Sequence, residues 1–173
     1  MRDKKKILVI LGSASQNSAN EKIVNCILEL SKHAFDFTVY RDLKILPHFD
    51  PELSVANPPQ LIVEFRTAIE QADVVWICTP EYIFSLPAGL KNAIEWCVST
   101  TVFSDKPVGM ITASLDGQKA HEQLQLIMKT LMAKCTSETS LLIRGVKGKV
   151  NENGEITDNQ TLEELTRFVN SYK

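Results

Sequence analysis

Residues 7–20 read ILVILGSASQNSAN, an apolar run that passes directly into small polar residues. Residues 74–96 repeat this arrangement with VVWICTPEYIFSLPAGLKNAIEW. In both segments the polar stretch opens a helical pattern, which predicts a buried strand, a loop and a helix. Because the carboxyl ends of parallel strands meet at one edge of a sheet, the two loops are expected to flank one crevice. Open α/β folds bind ligands in such crevices.

Strands and helices alternate along the whole chain, which predicts an α/β domain with a parallel sheet. Right-handed crossovers and five strands favour the strand order 2-1-3-4-5. A single domain over residues 1–173 is expected from this length. The predicted strands are Lys6–Leu11, Asp36–Tyr40, Asp73–Cys78, Pro107–Ala113 and Ser140–Ile143. Four predicted helices span Ser18–His33, Pro87–Cys97, Gly117–Lys134 and Thr161–Tyr172. A fifth follows Ser18–His33 in the chain and is expected to be capped by Asn57, Pro58 and Gln60.

Local signals refine the helix ends and the junctions. Ser18 with Glu21, and Thr161 with Glu164, fit the capping-box spacing at the start of a helix. The proline-bearing junction Arg41–Asn57 is predicted to be a surface loop. The polar, glycine-bearing stretch Gly145–Asn159 is predicted to be a loop or a short hairpin.

Composition and charge exclude several classes of protein. The net charge of −2 gives no electrostatic footprint for nucleic acid. The start MRDKKKILVIL resembles a signal peptide, but its apolar run is too short, and a buried first strand is the better interpretation. No apolar run is long enough to span a membrane.

The cysteines and histidines indicate neither a metal site nor a disulfide framework. Cys26, Cys78, Cys97 and Cys135 lie in apolar segments without C-x-x-C spacing, so buried free thiols in a reducing cytoplasm are expected. The three histidines, His33, His48 and His121, are far apart in the sequence.

The first polar loop offers groups that suit a phosphate. Its hydroxyls belong to Ser13, Ser15 and Ser18, and its amides to Gln16, Asn17 and Asn20. A helix N-terminus with unpaired N–H groups follows, which favours an anion. The alternative is that Ser18 only caps the helix. Neither the dinucleotide fingerprint nor the P-loop pattern is present.

The second polar loop carries aromatic and apolar residues. Backbone groups of Pro80–Ile83, beside Tyr82 and Phe84, could hold the edge of a flat heterocycle. The alternative is a helix cap with core aromatics. That alternative explains Trp96 but not a row of exposed Ile83, Phe84 and Leu86. Such a row indicates a ligand or a subunit contact.

Two motifs give the chain a family resemblance. The motif G-S-x-x-x-x-S-x-N spans Gly12–Asn20, and P-E-Y-x-x-S-x-P-x-x-L-K-N-A-I-E-W spans Pro80–Trp96. Together they resemble the NADPH-dependent FMN reductase family, which includes quinone, azo-dye and chromate reductases. The resemblance implies a flavodoxin-like αβα sandwich, an FMN cofactor and NAD(P)H as reductant.

The resemblance also assigns roles to the loops. It implies that the FMN phosphate lies in the region of Ser13, Ser15, Gln16, Asn17, Ser18 and Asn20. It implies that Pro80, Glu81, Tyr82 and Ile83 line the isoalloxazine ring, largely through backbone groups. A third loop, formed by Ser114, Leu115, Asp116 and Gly117, would cover the other side of the ring. No catalytic residue is expected, because the cofactor carries the chemistry, and Glu81 is interpreted as a surface or capping group.

Four departures separate this sequence from the family pattern. Ser15 stands where the family usually has arginine, Ile83 where it has asparagine, and Pro87-Ala88 where it has Pro-Gly. The third loop, TASLDGQKA, is also short. Losing the arginine removes a charge-assisted contact worth about 1.5–3 kcal/mol. Weak, reversible FMN binding is therefore predicted.

The sequence favours an NAD(P)H-dependent FMN oxidoreductase that reduces a quinone, an azo compound or a similar acceptor. Two alternatives remain at this point: a non-enzymatic flavodoxin-like electron carrier and a degenerate member that acts as a binding module. A homodimer or homotetramer is expected from the resemblance and from the apolar run beside Ile94 and Trp96.

Overall fold

One twisted parallel sheet organises the chain, which a computed structural model describes over residues 4–173. Its strand order is β2-β1-β3-β4-β5, and every neighbouring pair is parallel. This confirms the order predicted from the sequence. The strands are β1 Lys5–Leu11, β2 Phe35–Tyr40, β3 Val74–Thr79, β4 Val108–Ser114 and β5 Ser140–Arg144.

Helices cover both faces of the sheet and give a three-layer sandwich. One face packs against α1 and α6, and the other against α3, α4 and α5. Strands β3 and β4 are buried almost throughout, as their apolar sequences predicted. The helices are α1 Ala19–Ser31, α2 Pro51–Ala56, α3 Gln60–Gln71, α4 Ala88–Glu95, α5 Gln118–Thr130 and α6 Asn159–Asn170.

Two helix starts differ from those predicted. Helix α6 begins three residues earlier than its supposed capping box, because the Asp158 carboxylate accepts hydrogen bonds from both the amide and the hydroxyl of Thr161. Thr161 is fully buried and is therefore a packed residue inside the helix. Helix α3 follows Pro59, which has no side-chain cap, rather than a cap formed by Asn57.

The junction after β2 contains more structure than predicted. Instead of a plain loop over Arg41–Asn57, a 3₁₀ turn forms at Leu43–Ile45 and α2 follows. Asp50 caps α2 by accepting from the amides of Glu52 and Leu53. The stretch after β5 agrees with the prediction of a short hairpin, since Val150 and Ile156 pair as an antiparallel bridge.

Several expected chemical features can be checked over residues 4–173. All four cysteines there are free thiols, with Cys78 and Cys97 buried and Cys26 and Cys135 half-buried. In that part of the chain no helix is long and apolar enough to cross a membrane. Within the same range, no three His, Cys, Asp or Glu side chains are grouped as metal ligands.

An aromatic cluster under the sheet requires a glycine in β4. Trp76 packs against Phe168 and Tyr172 at centroid distances of 5.3 and 5.5 Å. Gly109 lies opposite Trp76 in the neighbouring strand. A Cβ atom at Gly109 would lie 2.5 Å from Phe168 Cζ and 2.7 Å from the Tyr172 hydroxyl. The cluster therefore depends on the absence of a side chain at this point.

We expect Gly109→Ala to lower the free energy of unfolding by about 1–3 kcal/mol, the usual cost of overpacking a core. Denaturant unfolding followed by circular dichroism measures this loss. Gly148→Ala is the matched control, because a Cβ at Gly148 meets nothing within 4 Å. We expect the control to change the free energy by no more than about 0.5 kcal/mol. Equal losses in both variants would contradict this account of the cluster.

Candidate active site

Loops at the carboxyl edge of the sheet enclose a cavity of about 890 Å³. It lies where the crevice was predicted, between the loops that follow β1, β3 and β4. Most of the residues expected to bind the cofactor line this cavity. They are Ser13, Ser15, Gln16, Asn17, Ser18, Asn20, Pro80, Glu81, Tyr82, Ser114 and Leu115.

A close approach of two strands shapes the first loop. The amide of Gly12 donates to the Cys78 carbonyl at 2.8 Å. A Cβ at Gly12 would lie 2.7 Å from Thr79 Oγ1, so only glycine fits there without displacing β3. The loop then enters α1 at Ser18, whose hydroxyl accepts from the Glu21 amide at 3.2 Å. The Glu21 carboxylate accepts from the amide of Asn17 rather than that of Ser18, so the capping box is only half formed.

Two residues assigned to the phosphate region connect loops to one another. The Asn20 side chain is buried, and its Nδ2 donates to the Ala113 carbonyl at 2.9 Å. Asn20 Oδ1 accepts from the Cys78 thiol. The Ser13 hydroxyl accepts from the Ser15 amide at 3.3 Å and lies 3.4 Å from the Tyr82 hydroxyl. The Ser15 and Asn17 amides are also engaged, with Ser13 and Glu21. Among residues 4–173, the side-chain amides of Gln16 and Asn17 and the backbone amides of Gln16 and Ser18 have no hydrogen-bond partner and are open to a ligand.

The Tyr82 phenol sits where the first and second loops meet. Burial raises the pKa of Tyr82, but hydrogen bonds outweigh this effect and bring the pKa below its ordinary value. The groups that lower it are the hydroxyls of Ser13 and Ser15 and the backbone of Ala14. The phenol is thus held at the boundary of the cavity by polar groups of the first loop.

Glu81 caps a helix, as the sequence suggested. Helix α5 begins after Gly117, which has a φ of +83° and no side chain to cap the helix. The Glu81 carboxylate takes that role by accepting from the Ala120 amide at 2.9 Å. A carboxylate at a helix N-terminus is stabilised by the macrodipole. The second loop is therefore fixed to the helix that follows the third loop.

The tip of the second loop is a tight turn with two apolar residues. Tyr82 and Ser85 exchange backbone hydrogen bonds of 3.0 and 3.1 Å around Ile83 and Phe84. Both central residues have positive φ, which a type I′ turn requires. Ile83 is 96% exposed and Phe84 is 74% exposed, but Leu86 is buried. The expected row of three exposed residues is wrong at Leu86, because Gln123 Oε1 accepts from its amide and holds it against α5.

The third loop contributes less to the cavity than predicted. Ser114 and Leu115 line it, whereas Asp116 and Gly117 do not, and neither does Ile83 of the second loop. Asp116 pairs with Arg144 at 3.4 Å. Gly117 is covered by Leu142 and Thr112, because a Cβ there would lie 3.0 Å from Leu142 Cδ1 and 3.3 Å from Thr112 Cγ2.

Comparison with known proteins agrees with this geometry. Residues 5–147 match the NADPH-dependent FMN reductase family. The chain belongs to this family. A quinone reductase of Escherichia coli K12 is 28% identical over 173 residues, covering 96% of this chain and 92% of that protein. A 2-hydroxy-1,4-benzoquinone reductase of a Burkholderia species is 26% identical, covering 96% and 93%.

A solved structure supports the same assignment. FerB, a flavoenzyme NAD(P)H:(acceptor) oxidoreductase from Paracoccus denitrificans, matches with a TM-score of 0.80 at 25% identity. The match covers 97% of this chain and 94% of FerB. This FMN reductase is thus an oxidoreductase of flavodoxin-like fold that uses FMN and NAD(P)H, as the sequence predicted.

A fourth loop, which the sequence analysis missed, borders the large cavity. The loop after β5 contributes Gly145–Gly148 and Val150 to the large cavity, and α1 contributes Lys22. A smaller cavity of about 610 Å³ lies beside Tyr82 and reaches Arg41–Lys44 after β2. The parallel strand order could have predicted these contributions, because β2 and β5 are parallel to the other strands and their following loops lie at the same edge.

We expect Glu81→Ala to lower the free energy of unfolding by about 0.5–2 kcal/mol, the usual cost of losing a helix cap. Glu81→Gln keeps an acceptor oxygen and should retain most of that stability. Glu122→Ala, at an exposed position of the same helix, is the matched control. Thermal unfolding measures all three variants. A control that loses as much as Glu81→Ala would contradict the capping role.

Proposed function

We propose that this FMN reductase passes electrons from NAD(P)H to a quinone, an azo compound or a similar small acceptor. The observation that carries the proposal is the cavity of about 890 Å³ between loops at the carboxyl edge of the sheet. The quinone reductases among the relatives support the acceptor class.

The residues around the cavity fit FMN. Hydroxyl and amide groups of Ser15–Ser18, with the first amides of α1, form a donor set that suits a phosphate dianion. Tyr82 and Leu115 offer apolar surface from two neighbouring loops, which suits a flat ring. We assign the phosphate to the first loop and the ring to the second and third.

The protein positions its cofactor rather than taking part in bond formation. When bound, FMN supplies the redox chemistry between the nicotinamide and the acceptor. Glu81 holds α5 through the Ala120 amide and is not free to act as a general acid. Burial raises the pKa of the Cys78 thiol far above its ordinary value, so that thiol stays protonated and unreactive.

An absorption spectrum and a rapid-mixing experiment test the function. Purified protein mixed with FMN should turn yellow, and dialysis should remove part of the colour. Anaerobic mixing with NADPH should then bleach the flavin directly. A flavodoxin-like carrier would bind FMN without direct bleaching, and a binding module would show no flavin absorbance. Either of these results would replace the proposed function.

We predict ping-pong kinetics with NADPH and a quinone, because one open cleft must release the oxidised nicotinamide before the acceptor enters. Steady-state rates should give parallel double-reciprocal lines. Glu81→Gln and Cys78→Ala should leave the rate of hydride transfer largely intact at full flavin occupancy. A loss of about 100-fold or more in Glu81→Gln, the scale of a missing general acid or base, would overturn the assignment of roles.

We also propose a homodimer or a dimer of dimers. Ile94 and Trp96 are buried within the chain and do not contribute to a contact. The proposal rests instead on Ile83, Phe84 and Leu115, which are 96%, 74% and 87% exposed on two neighbouring loops. Exposed apolar residues grouped in this way are typical of subunit contacts.

Sedimentation equilibrium should give a multiple of 19.4 kDa at micromolar concentration. Phe84→Ser should weaken the association, because it removes apolar area from the contact. Leu126→Ser, which changes a residue that is 66% exposed on α5, is the control and should leave the mass unchanged. A mass of 19.4 kDa for the unmodified protein would contradict the proposal.

We propose a cytoplasmic location on the basis of the thiols. In the part of the chain that the structure describes, all four cysteines are free thiols. Unpaired thiols suit a reducing compartment. Fractionation of cells that produce the protein would test this location.

A further inference from the structure

The first loop lacks the arginine that its family usually places at position 15, where this chain has a serine. A phosphate dianion at the start of α1 would then meet amides, hydroxyls and the helix dipole, but no cationic side chain from the first loop. The large cavity contains two cations that the family motif does not include, Lys22 from α1 and Lys147 from the loop after β5. A cation can face a phosphate at the first loop only if a carboxylate does not already neutralise it.

Arg41 is close to the first loop but is already neutralised. Its guanidinium donates to Glu21 Oε1 at 2.9 Å and to Asn25 Oδ1 at 3.1 Å. It lines the smaller cavity and not the large one. The same Glu21 carboxylate accepts from the Asn17 amide, so Arg41 cancels a negative charge beside the loop. It therefore does not replace the missing arginine.

Lys22 occupies a position where a lysine is unfavourable unless an anion is near. It is the fourth residue of α1, close to the positive end of the helix dipole. Its amine donates to the carbonyl oxygens of Asn151, at 2.9 Å, and Glu152, at 3.4 Å. Among residues 4–173, no carboxylate forms an ion pair with it. Its amine is thus held on the hairpin that borders the cavity at Val150, without a carboxylate counter-charge.

Lys147 is the second uncompensated cation. It lies in the 3₁₀ turn Val146–Gly148, and within the described part of the chain it has no ion-pair partner. Its neighbour Lys149 differs, because it pairs with Asp158 at 3.4 Å and does not line the cavity. Two lysines in the same loop thus provide a test residue and a matched control.

We propose that Lys147 and Lys22 together supply the positive charge that binds the phosphate of FMN, in place of an arginine at position 15. This rests on the proposed function, in which the first loop holds the phosphate. It makes the loop after β5 part of the cofactor site and a determinant of the choice between FMN and riboflavin. Of the two lysines, Lys147 has an exposed side chain that can move toward the phosphate. The Lys22 amine is held by carbonyl oxygens of the hairpin.

Titration of the purified protein with FMN and with riboflavin, followed by flavin fluorescence, tests the proposal. The two ligands differ only in the phosphate. We expect Lys147→Met and Lys22→Met each to weaken FMN binding by about 3- to 10-fold, the range for exposed charge-assisted contacts. Riboflavin binding should not change. Lys147→Arg should keep FMN affinity, and Lys149→Met should behave like the unmodified protein.

The outcomes separate this proposal from the proposed function. If neither flavin binds the unmodified protein, the proposed function fails. If the unmodified protein binds FMN more tightly than riboflavin but neither methionine variant reduces that preference, the function stands and the lysine proposal is overturned. Equal losses for FMN and riboflavin would also overturn it, since they would show a change in loop structure rather than in charge. Circular dichroism of each variant confirms that the fold is intact.

Discussion

Burial of a parallel sheet on both faces is the constraint on which the rest of this structure depends. The central strands β1, β3 and β4 send most of their side chains into the core, so polar groups that are open to a ligand lie mainly where these strands end. Because all five strands are parallel, their carboxyl ends meet at one edge. The loops that follow β1, β3, β4 and β5 therefore border one cavity as a consequence of the parallel strand order alone.

The shared sheet edge brings the loops close together, and hydrogen bonds from polar side chains hold them in place. Asn20 joins the first loop to the end of β4, Glu81 joins the second loop to α5, and Gln123 returns from α5 to the second loop. Each of these side chains bonds a backbone group of another segment, and Gln123 accepts from the Ser85 hydroxyl as well as from the Leu86 amide. Truncating one partner would leave a backbone group without its partner, which costs more than the bond itself contributes. The loops around the cavity are therefore held to neighbouring segments by side-chain hydrogen bonds.

The sequence predicted the sheet order and most of the cavity lining because both follow from local patterns. Apolar runs specify buried strands, and parallel order specifies the shared edge. It failed where a residue's role depends on a distant contact. Thr161 has the right spacing for a cap, but Asp158 caps the helix three residues earlier by accepting from the Thr161 amide, and Thr161 itself is buried. Within residues 4–173, Lys149 pairs with Asp158 whereas Lys147 has no ion pair, and no local pattern reveals this difference between the two lysines.

The turn at Ile83 and Phe84 shows how such contacts override local preference. Left-handed backbone costs about 1–2 kcal/mol for an ordinary L-residue, and this turn type favours Asn-Gly. The surrounding structure nevertheless imposes it. Gln123 Oε1 accepts from Ser85 Oγ at 2.8 Å and from the Leu86 amide at 3.0 Å, and Leu86 is buried beneath. Strain persists where its surroundings over-determine it. The hydrogen bonds between Gln123 of α5 and the second loop therefore also keep Ile83 and Phe84 at the exposed tip of the turn.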